Sequence, residues 1–234
     1  MFQNISHSFG SQEVLKDISF EIELNKVTVI IGKSGSGKST ILQIINGLVK
    51  PTSGKAIVFG NELDFSNIEE TRLNIGYAVQ GTGLFPHMSV YENIGLLGVI
   101  KKWRKHEIER RTDQLMSLVD LPPSYKTKYP HQLSGGEQQR TGLCRSMFLN
   151  PPLFLLDEPF GALDPMTRKD IHSEVMKVQN IELRTIVMVT HDMHEALKLG
   201  DKIMVIDKGE IVQFDDKEII VKQPKNEAVR NLLV

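Results

Sequence analysis

Apolar and polar residues follow two different patterns in the first part of the chain. From 18 to 24 they alternate, which predicts a strand with one solvated face and therefore antiparallel pairing. Val27–Ile31 is β-branched throughout and only Thr28 is polar, which predicts a strand buried on both faces. Similar runs predict buried strands at 75–80, 153–157, 185–190 and 202–207, the last turning at 208–209 into 211–214.

Helical patterns separate these strands. Apolar residues at 41, 42, 44, 45 and 48 predict a helix that ends at Lys50 and Pro51. Between 85 and 150 the strand signals disappear and charged helical segments replace them, which predicts an inserted helical lobe. Short strands alternating with helices favour an α/β fold with a mostly parallel sheet and an N-terminal antiparallel β subdomain. We expect one domain over 1–234, with a core of 1–84 and 151–234 and an α-helical subdomain of 85–150.

Composition narrows the setting in which this fold works. The 234 residues carry a formal net charge of −1, so no global field attracts nucleic acid or anionic lipid. The single cysteine, Cys144, excludes an internal disulfide and fits a reducing compartment. The apolar runs are far shorter than the ~20 residues that span a bilayer, and residues 1–10 lack a signal-peptide core. We therefore expect a soluble cytoplasmic protein that reaches a membrane only through a partner.

One segment matches the phosphate-loop pattern G-x-x-x-x-G-K-[ST] and lies between the predicted strand at 27–31 and a predicted helix. In this pattern glycines let backbone N–H groups approach phosphate oxygens, Lys38 reaches the terminal phosphates and the Ser39 hydroxyl ligates magnesium. Strand, loop and helix occur in the required order, which strengthens the match. The predicted nucleotide-binding residues are Gly32, Lys33, Ser34, Gly35, Ser36, Gly37, Lys38, Ser39 and Thr40.

Two carboxylates follow the apolar run at 153–156, at the strand end where open α/β sheets place their ligands. Asp157 suits a hold on magnesium, and Glu158 suits the polarisation of a water that attacks the terminal phosphoryl group. The alternative is that Asp157 and Glu158 only cap a helix that begins near Pro165. A phosphate loop in the same chain favours the catalytic interpretation.

A second glycine-containing string, Leu133-Ser134-Gly135-Gly136-Glu137, has the same physical character as the phosphate loop. A serine hydroxyl and two glycine N–H groups open a predicted helix whose positive end can face an anion. We therefore expect Ser134, Gly135 and Gly136 to contact nucleotide.

Together these strings, in this order and over nearly the whole chain, resemble the nucleotide-binding subunit of ATP-binding cassette (ABC) transporters, which has a RecA-like P-loop NTPase core. The resemblance implies that Gln80 touches magnesium and that His191 hydrogen-bonds the terminal phosphate. It also implies that Asp164 crosses a dimer interface and that Phe9 stacks on adenine. Each has a plainer alternative: a strand-terminal amide for Gln80, a structural side chain for His191, a helix N-cap for Asp164 and sheet packing for Phe9.

The resemblance further implies a homodimer closed around two ATP molecules with Mg²⁺, in which Ser134 to Gly136 of one copy face Lys38, Glu158 and His191 of the other. Hydrolysis then drives solute uptake through a separate transmembrane permease, with this chain peripheral on the inner face of the cell membrane. A solute-binding protein is the expected further partner, and nucleic acid is not. Part of residues 83–88 would form the groove for a cytoplasmic helix of the permease.

Residues 75–80, 83–88 and 129–133 are most similar to cassettes of osmoprotectant uptake systems that carry betaine, choline or related quaternary amines. Two alternatives stay open from the sequence. One is a non-transport ABC ATPase that acts on nucleic acid or ribosomes, and the other is a cassette for another cargo.

Overall fold

The computed structural model describes residues 1–81, 83–161, 168, 172, 179 and 184–233. The chain divides into two compact units, the first made of residues 1–72 and 184–234 and the second of residues 73–183. No helix within the described ranges is long and apolar enough to cross a bilayer. The predicted boundaries at 85 and 150 stay a prediction.

The first unit contains an antiparallel sheet in the order β2-β1-β4-β5. Its strands are β1 (Phe2–Phe9), β2 (Gln12–Phe20), β4 (Ser53–Val58) and β5 (Asn61–Glu62). The predicted antiparallel pairing is confirmed, but β2 ends at Phe20 and Leu24 is 80% exposed. Phe20 pairs with Phe2, where β1 begins. Residues beyond Phe20 therefore find no backbone of β1 to pair with, although their apolar and polar side chains continue to alternate.

The other strands of the first unit are β3 (Val27–Ile31), β8 (Thr185–Thr190), β9 (Lys202–Asp207) and β10 (Glu210–Asp216), in the order β10-β9-β3-β8. β3 pairs in parallel with both β8 and β9, and every residue of β3 and β8 is buried. The predictions of doubly buried strands and of mostly parallel pairing are confirmed. β10 is antiparallel to β9, and Lys208 and Gly209 form the hairpin turn with φ of 48° and 84°.

Helix α1 (Lys38–Ile45) follows β3, and it ends earlier than predicted. Asn46 caps it, and Gly47 adopts a left-handed φ of 65°, which ends the helix before Pro51 is reached. The apolar residue Leu48, which extended the predicted helix, is 52% exposed. Helix α2 (Glu69–Leu73) closes the first stretch of this unit.

The second unit is mainly helical, with α3 (Val90–Ile100), α4 (Lys105–Leu118), α5 (Gly135–Met147) and two 3₁₀ turns at Pro123–Thr127 and Pro130–Gln132. Residues 85–150, all of which are described, contain no strand, as the sequence predicts. β6 (Ile75–Ala78) and β7 (Leu153–Asp157) pair in parallel, and β6 is two residues shorter than predicted.

Three short helices complete the first unit, namely α6 (Met193–Leu199), α7 (Lys217–Lys222) and α8 (Glu227–Leu232). In the second unit, Cys144 is fully buried on α5, and its thiol donates to the carbonyl of Leu115 at 3.3 Å. Burial raises the pKa of this thiol, so Cys144 is a packing residue and not a nucleophile.

Candidate functional site

The predicted phosphate loop is a tight turn between β3 and α1 in the first unit. Gly35 and Gly37 have φ of 77° and 103°, which L-residues with a side chain rarely adopt. A Cβ on Gly37 would also lie 2.6 Å from Cδ2 of Leu15, so both the backbone angle and the packing require glycine there. With no side chain at Gly37 and no acidic residue in the first turn, the positive end of α1 is left for an external anion.

Lys38 lies inside this loop and is 7% exposed. Its ammonium group donates to the carbonyl oxygens of Gly32 at 2.8 Å and Lys33 at 2.9 Å. These two carbonyl groups hold the ammonium group inside the loop. The lysine is therefore already oriented where a terminal phosphate is expected to bind.

Ser36 supplies an independent indication of an anion site. Its side chain is 3% exposed, and its hydroxyl has no hydrogen-bond partner among the described residues. A buried hydroxyl without a partner costs about 1–3 kcal/mol, which a bound ligand relieves. A phosphate oxygen beside the loop would accept this hydrogen bond. The described loop residues thus fit a phosphate group.

His191 emerges at the same edge of the first unit's parallel strands as this loop. Ile31 and Thr190 are register partners, so the next residues, Gly32 and His191, leave the sheet side by side. The turn after His191 is fixed by Asp192, the N-cap of α6. The Asp192 carboxylate accepts from the backbone N–H groups of His194 at 2.8 Å and Glu195 at 3.4 Å. His191 itself is exposed. This placement is compatible with a contact to the terminal phosphate, which stays a prediction.

Phe9 ends β1 with 52% of its surface exposed. Only its contact with His7 is aromatic among the described residues, with ring centroids 4.5 Å apart and the rings edge to face. The ring therefore does not pack into the sheet interior, and about half of its surface can be reached by a ligand. Stacking on adenine stays a prediction.

Asp157 closes β7 in the second unit and is 3% exposed. The hydroxyl of Tyr77 on β6 donates to its carboxylate. The register explains this contact, because Tyr77 pairs with Leu155, and Asp157 follows two residues later on the same face. Burial and the Asp157 charge both raise the pKa of Tyr77, so the phenol stays protonated and keeps donating.

Glu158 has an unusual backbone conformation, with a left-handed φ of 46°. Its carboxylate oxygen Oε2 accepts from Nε2 of Gln80 at 3.4 Å, so the structure brings together two predicted catalytic residues. Its carbonyl accepts from the backbone N–H of Gly161 at 3.3 Å and from Nε2 of Gln139 at 3.2 Å. A non-glycine residue at this φ costs about 1 kcal/mol, and such strain is concentrated at functional sites.

Ser134 is the N-cap of α5, and Gly135 and Gly136 form its first turn. The Ser134 hydroxyl accepts from the N–H of Glu137 at 3.3 Å, and the Glu137 carboxylate accepts from the N–H of Ser134 at 2.7 Å. This capping box uses the hydroxyl as an acceptor and leaves its proton to donate. A Cβ on Gly135 would meet no atom of the described residues within 4 Å, so their packing does not require glycine there.

Residues 83–89 lie shortly after Gln80, and we call them the 83–89 segment. Two side chains, those of Asn93 and Arg145, anchor its backbone. The fully buried Asn93 on α3 accepts from the N–H of Phe85 at 2.9 Å and donates to the carbonyl of Met88 at 2.9 Å. Arg145 on α5 donates to the carbonyl of Gly83 at 2.8 Å and lies over the ring of Phe85 at 5.4 Å. The ring of Phe85 is 41% exposed, so the segment presents an apolar surface on a fixed backbone.

The oxygen donors of Ser39, Gln80 and Asp157 are a hydroxyl, an amide carbonyl and a carboxylate, which are ligands that Mg²⁺ prefers. Among the described residues, no group of three or more His, Cys, Asp or Glu side chains could hold a metal. Each of the side chains of Ser39, Gln80 and Asp157 is by its own chemistry a suitable ligand for the ion.

Asp164, the predicted interface residue, lies outside the described residues, as does the helix start near Pro165. Sequence reasoning missed Tyr77, Gln139, Asn93 and Arg145. Tyr77 carries the one usable signal, because a tyrosine in a buried strand needs a partner for its hydroxyl. The carbonyl of Glu158, to which Gln139 donates, lies 19 residues further along the chain, so no local pattern identifies that contact.

Comparisons with known proteins identify chains similar to this one. A family model described as ABC transporter matches residues 15–161. The glycine betaine uptake system ATP-binding protein YehX of Escherichia coli (strain K12) is 42% identical over 229 residues, which are 98% of this chain and 74% of that protein. The choline transport ATP-binding protein OpuBA of Bacillus subtilis (strain 168) is 41% identical over 232 residues, or 99% of this chain and 61% of that protein. The chain therefore spans only part of the length of these relatives.

A solved structure extends the likeness to the fold. The dimeric post-hydrolysis state of the ATP-binding cassette MJ0796, bound to ADP and Pi, superimposes with a TM-score of 0.85 at 32% sequence identity. The match covers 92% of this chain and 97% of that one. The predicted fold class is confirmed by this likeness.

Proposed function

The chain belongs to the ABC transporter family of ATP-binding cassette ATPases, and we propose that it binds and hydrolyses ATP as a subunit of a solute importer. One observation supports this proposal: the chain has two separate features whose geometry suits an anion. The first is the loop around Lys38, with its unpaired Ser36 hydroxyl. The second is the exposed tip of α5 at Ser134 and Gly135, where glycine has no local packing role.

Two copies of the chain would complete two sites by exchanging these halves. In this arrangement, ATP lies between the loop around Lys38 of one copy and Ser134, Gly135 and Gly136 of the other. The similar cassette MJ0796 is described as a dimer, which supports the proposal. ATP then favours the closed dimer, because only that state makes both sets of phosphate contacts, and hydrolysis removes them.

Within each site the residues have separate roles. Glu158 accepts a proton from the attacking water, and its hydrogen bond from Gln80 orients the carboxylate. Lys38 and His191 stabilise charge on the transferred phosphoryl group, and Asp164 reaches across the interface. Phe9 stacks on adenine. Ser39, Gln80 and Asp157 hold Mg²⁺, which supplies charge neutralisation at the phosphates when bound.

A permease and a solute-binding protein complete the proposed system. The 83–89 segment, with its exposed Phe85 on an anchored backbone, is the proposed docking surface for a cytoplasmic helix of the permease. The chain would then act at the inner face of the membrane without spanning it. No nucleic-acid partner is proposed, since the formal net charge is −1.

The cargo is proposed from kinship. Relatives named for glycine betaine uptake and choline transport are 42% and 41% identical to this chain. We therefore propose an osmoprotectant such as glycine betaine, choline or a related quaternary amine. Cells in which this chain carries Glu158→Gln should lose high-affinity uptake of labelled glycine betaine or choline. Unchanged uptake of both would contradict the cargo and leave the ATPase proposal intact.

The ATPase proposal is tested with the same substitution in the purified chain. Glu158→Gln removes the proton acceptor but preserves the shape of the side chain, so ATP affinity should stay within about twofold while turnover stops. With ATP and Mg²⁺ the variant should elute from a sizing column as a dimer, and without nucleotide as a monomer. A strictly monomeric ATP complex, or turnover equal to that of the unsubstituted chain, would refute the proposal.

A further inference from the structure

Helix α5 links the exposed Ser134 tip to the backbone of Glu158 within the second unit. Ser134 caps the helix, and Gln139 follows five positions later, about 7.5 Å along the axis. Gln139 is 8% exposed, and its Nε2 donates to the carbonyl oxygen of Glu158 at 3.2 Å. The capping box at Ser134 fixes the first turn of α5, so the helix between these two residues behaves as a rigid element.

The hydrogen bond from Gln139 holds the backbone carbonyl of Glu158, and the backbone conformation sets the direction in which the side chain leaves the chain. Glu158 has a left-handed φ of 46°, and a rotation of its peptide by about 15° would move the carboxylate by about 1 Å. Its carbonyl is held from two sides, by Gln139 at 3.2 Å and by the N–H of Gly161 at 3.3 Å. The Gly161 bond is local to the turn, whereas the Gln139 bond ties the turn to a separate helix.

We propose that Gln139 is a positioning residue for Glu158. Through its hydrogen bond, the position of α5 determines the position of the Glu158 carboxylate. The inference rests on the proposed function, in which Ser134 contacts the ATP bound by a second copy. The helix that touches one nucleotide then places the proton acceptor for the other. The Ser134 tip and the backbone of Glu158 are thereby joined through one rigid helix.

Gln139→Met tests the proposal, because methionine preserves the length and volume of the side chain but removes the donor. A misplacement of about 1 Å at a reacting group costs on the order of 100-fold in rate, so kcat should fall about 10- to 100-fold. KM for ATP should stay within about twofold, since no nucleotide contact changes. A residue that only stabilised the fold would not divide kcat from KM in this way.

Gln138→Met is the matched control. Gln138 precedes Gln139 on the same helix, and its Nε2 donates to the carbonyl of Leu133 at a comparable 3.2 Å. The control should retain kcat and KM. An equal fall in kcat in both variants, or a rise in KM with kcat unchanged in Gln139→Met, would overturn the proposal. Gln139→Ala, checked for folding by circular dichroism, should show the same division and serves if the methionine variant is unstable.

The double variant Gln139→Met with Glu158→Gln separates this inference from the proposed function. It should still form the ATP-dependent dimer on a sizing column. If Glu158→Gln by itself stays monomeric with ATP, the proposed function fails. If that dimer forms and Gln139→Met keeps full kcat, only the role of Gln139 is refuted.

Discussion

Replacing Asn93 by alanine should release the 83–89 segment while leaving the phosphate loop intact. Asn93 is 0% exposed. Its Oδ1 accepts from the N–H of Phe85 at 2.9 Å. Its Nδ2 donates to the carbonyls of Phe85, Met88 and Ser89 at 3.1, 2.9 and 3.1 Å. One side chain therefore satisfies four backbone groups of a segment that has little regular structure of its own.

The magnitude follows from the number of hydrogens available. Nδ2 carries two hydrogens, so its three contacts count as two full bonds, and with the bond from the Phe85 N–H to Oδ1 the 83–89 segment loses three. At about 1 kcal/mol net for each bond, local opening of the segment becomes easier by ~3 kcal/mol. That corresponds to a roughly 100-fold larger open population. Arg145 still holds Gly83 at 2.8 Å, so the segment loosens from 85 onward and not from its first residue.

Amide hydrogen exchange measured by mass spectrometry on the purified chain tests this directly. Peptides that cover the N–H groups of Phe85 and Met88 should exchange about 100-fold faster, while peptides from β3 should not change. Asn226→Ala is the control, because Asn226 also accepts a backbone N–H, that of Val229 at 3.0 Å, but caps α8 in the first unit. It should leave the segment unaffected.

Two results would refute the reasoning about Asn93. Unchanged exchange at Phe85 and Met88 would mean that Arg145 and local turns suffice to hold the segment. Equal acceleration in β3 would mean that the variant unfolds globally and that the anchor is not local. With a permease present, the proposed docking predicts one more effect: Asn93→Ala should keep basal ATPase activity and lose its stimulation by the permease.

Two further substitutions test the half-sites. Tyr77→Phe removes the hydroxyl that donates to Asp157. Loss of a hydrogen-bond partner behind a metal ligand should raise the Mg²⁺ concentration for half-maximal ATPase about tenfold, measured by Mg²⁺ titration at saturating ATP. An unchanged Mg²⁺ requirement would contradict a magnesium role for Asp157. Gly135→Ala places a Cβ where no described atom lies within 4 Å, so it should stabilise the chain by about 0.5 kcal/mol. It should also lower ATPase activity at least tenfold, because the methyl group blocks the approach of a phosphate. A melting temperature and a turnover rate that change in the same direction would contradict this prediction.

The features that the sequence predicts well are those whose cause is local. The buried strand Val27–Ile31 needs only its own β-branched residues, and the phosphate loop needs only its glycines and Lys38. The end of β2 is different, because it depends on β1 beginning at Phe2 and leaving no partner beyond Phe20. The end of α1 depends on the left-handed Gly47, which the apolar spacing through 48 conceals.

Three of the missed site residues, Tyr77, Gln139 and Arg145, share one physical property, which is that their partners are distant in sequence and are backbone groups or a buried carboxylate. Gln139 contacts a carbonyl 19 residues away, and Arg145 contacts one 62 residues away. Neither side chain differs in type or spacing from a solvent-exposed residue of an ordinary helix. Only the fold shows that both lie on α5 and face other parts of the second unit.

The string that opens α5 shows why a motif and a function are separate inferences. Ser134 and Glu137 form a capping box, and that box by itself stabilises the helix by about 1 kcal/mol, whatever binds there. Serine and glutamate at these positions are therefore explained without any nucleotide. Gly135 is not, because its Cβ position is open and alanine would favour the helix. The glycine, and not the serine, thus distinguishes a phosphate-binding tip from an ordinary helix start, and an anion that approaches the first-turn N–H groups is the physical reason to keep it.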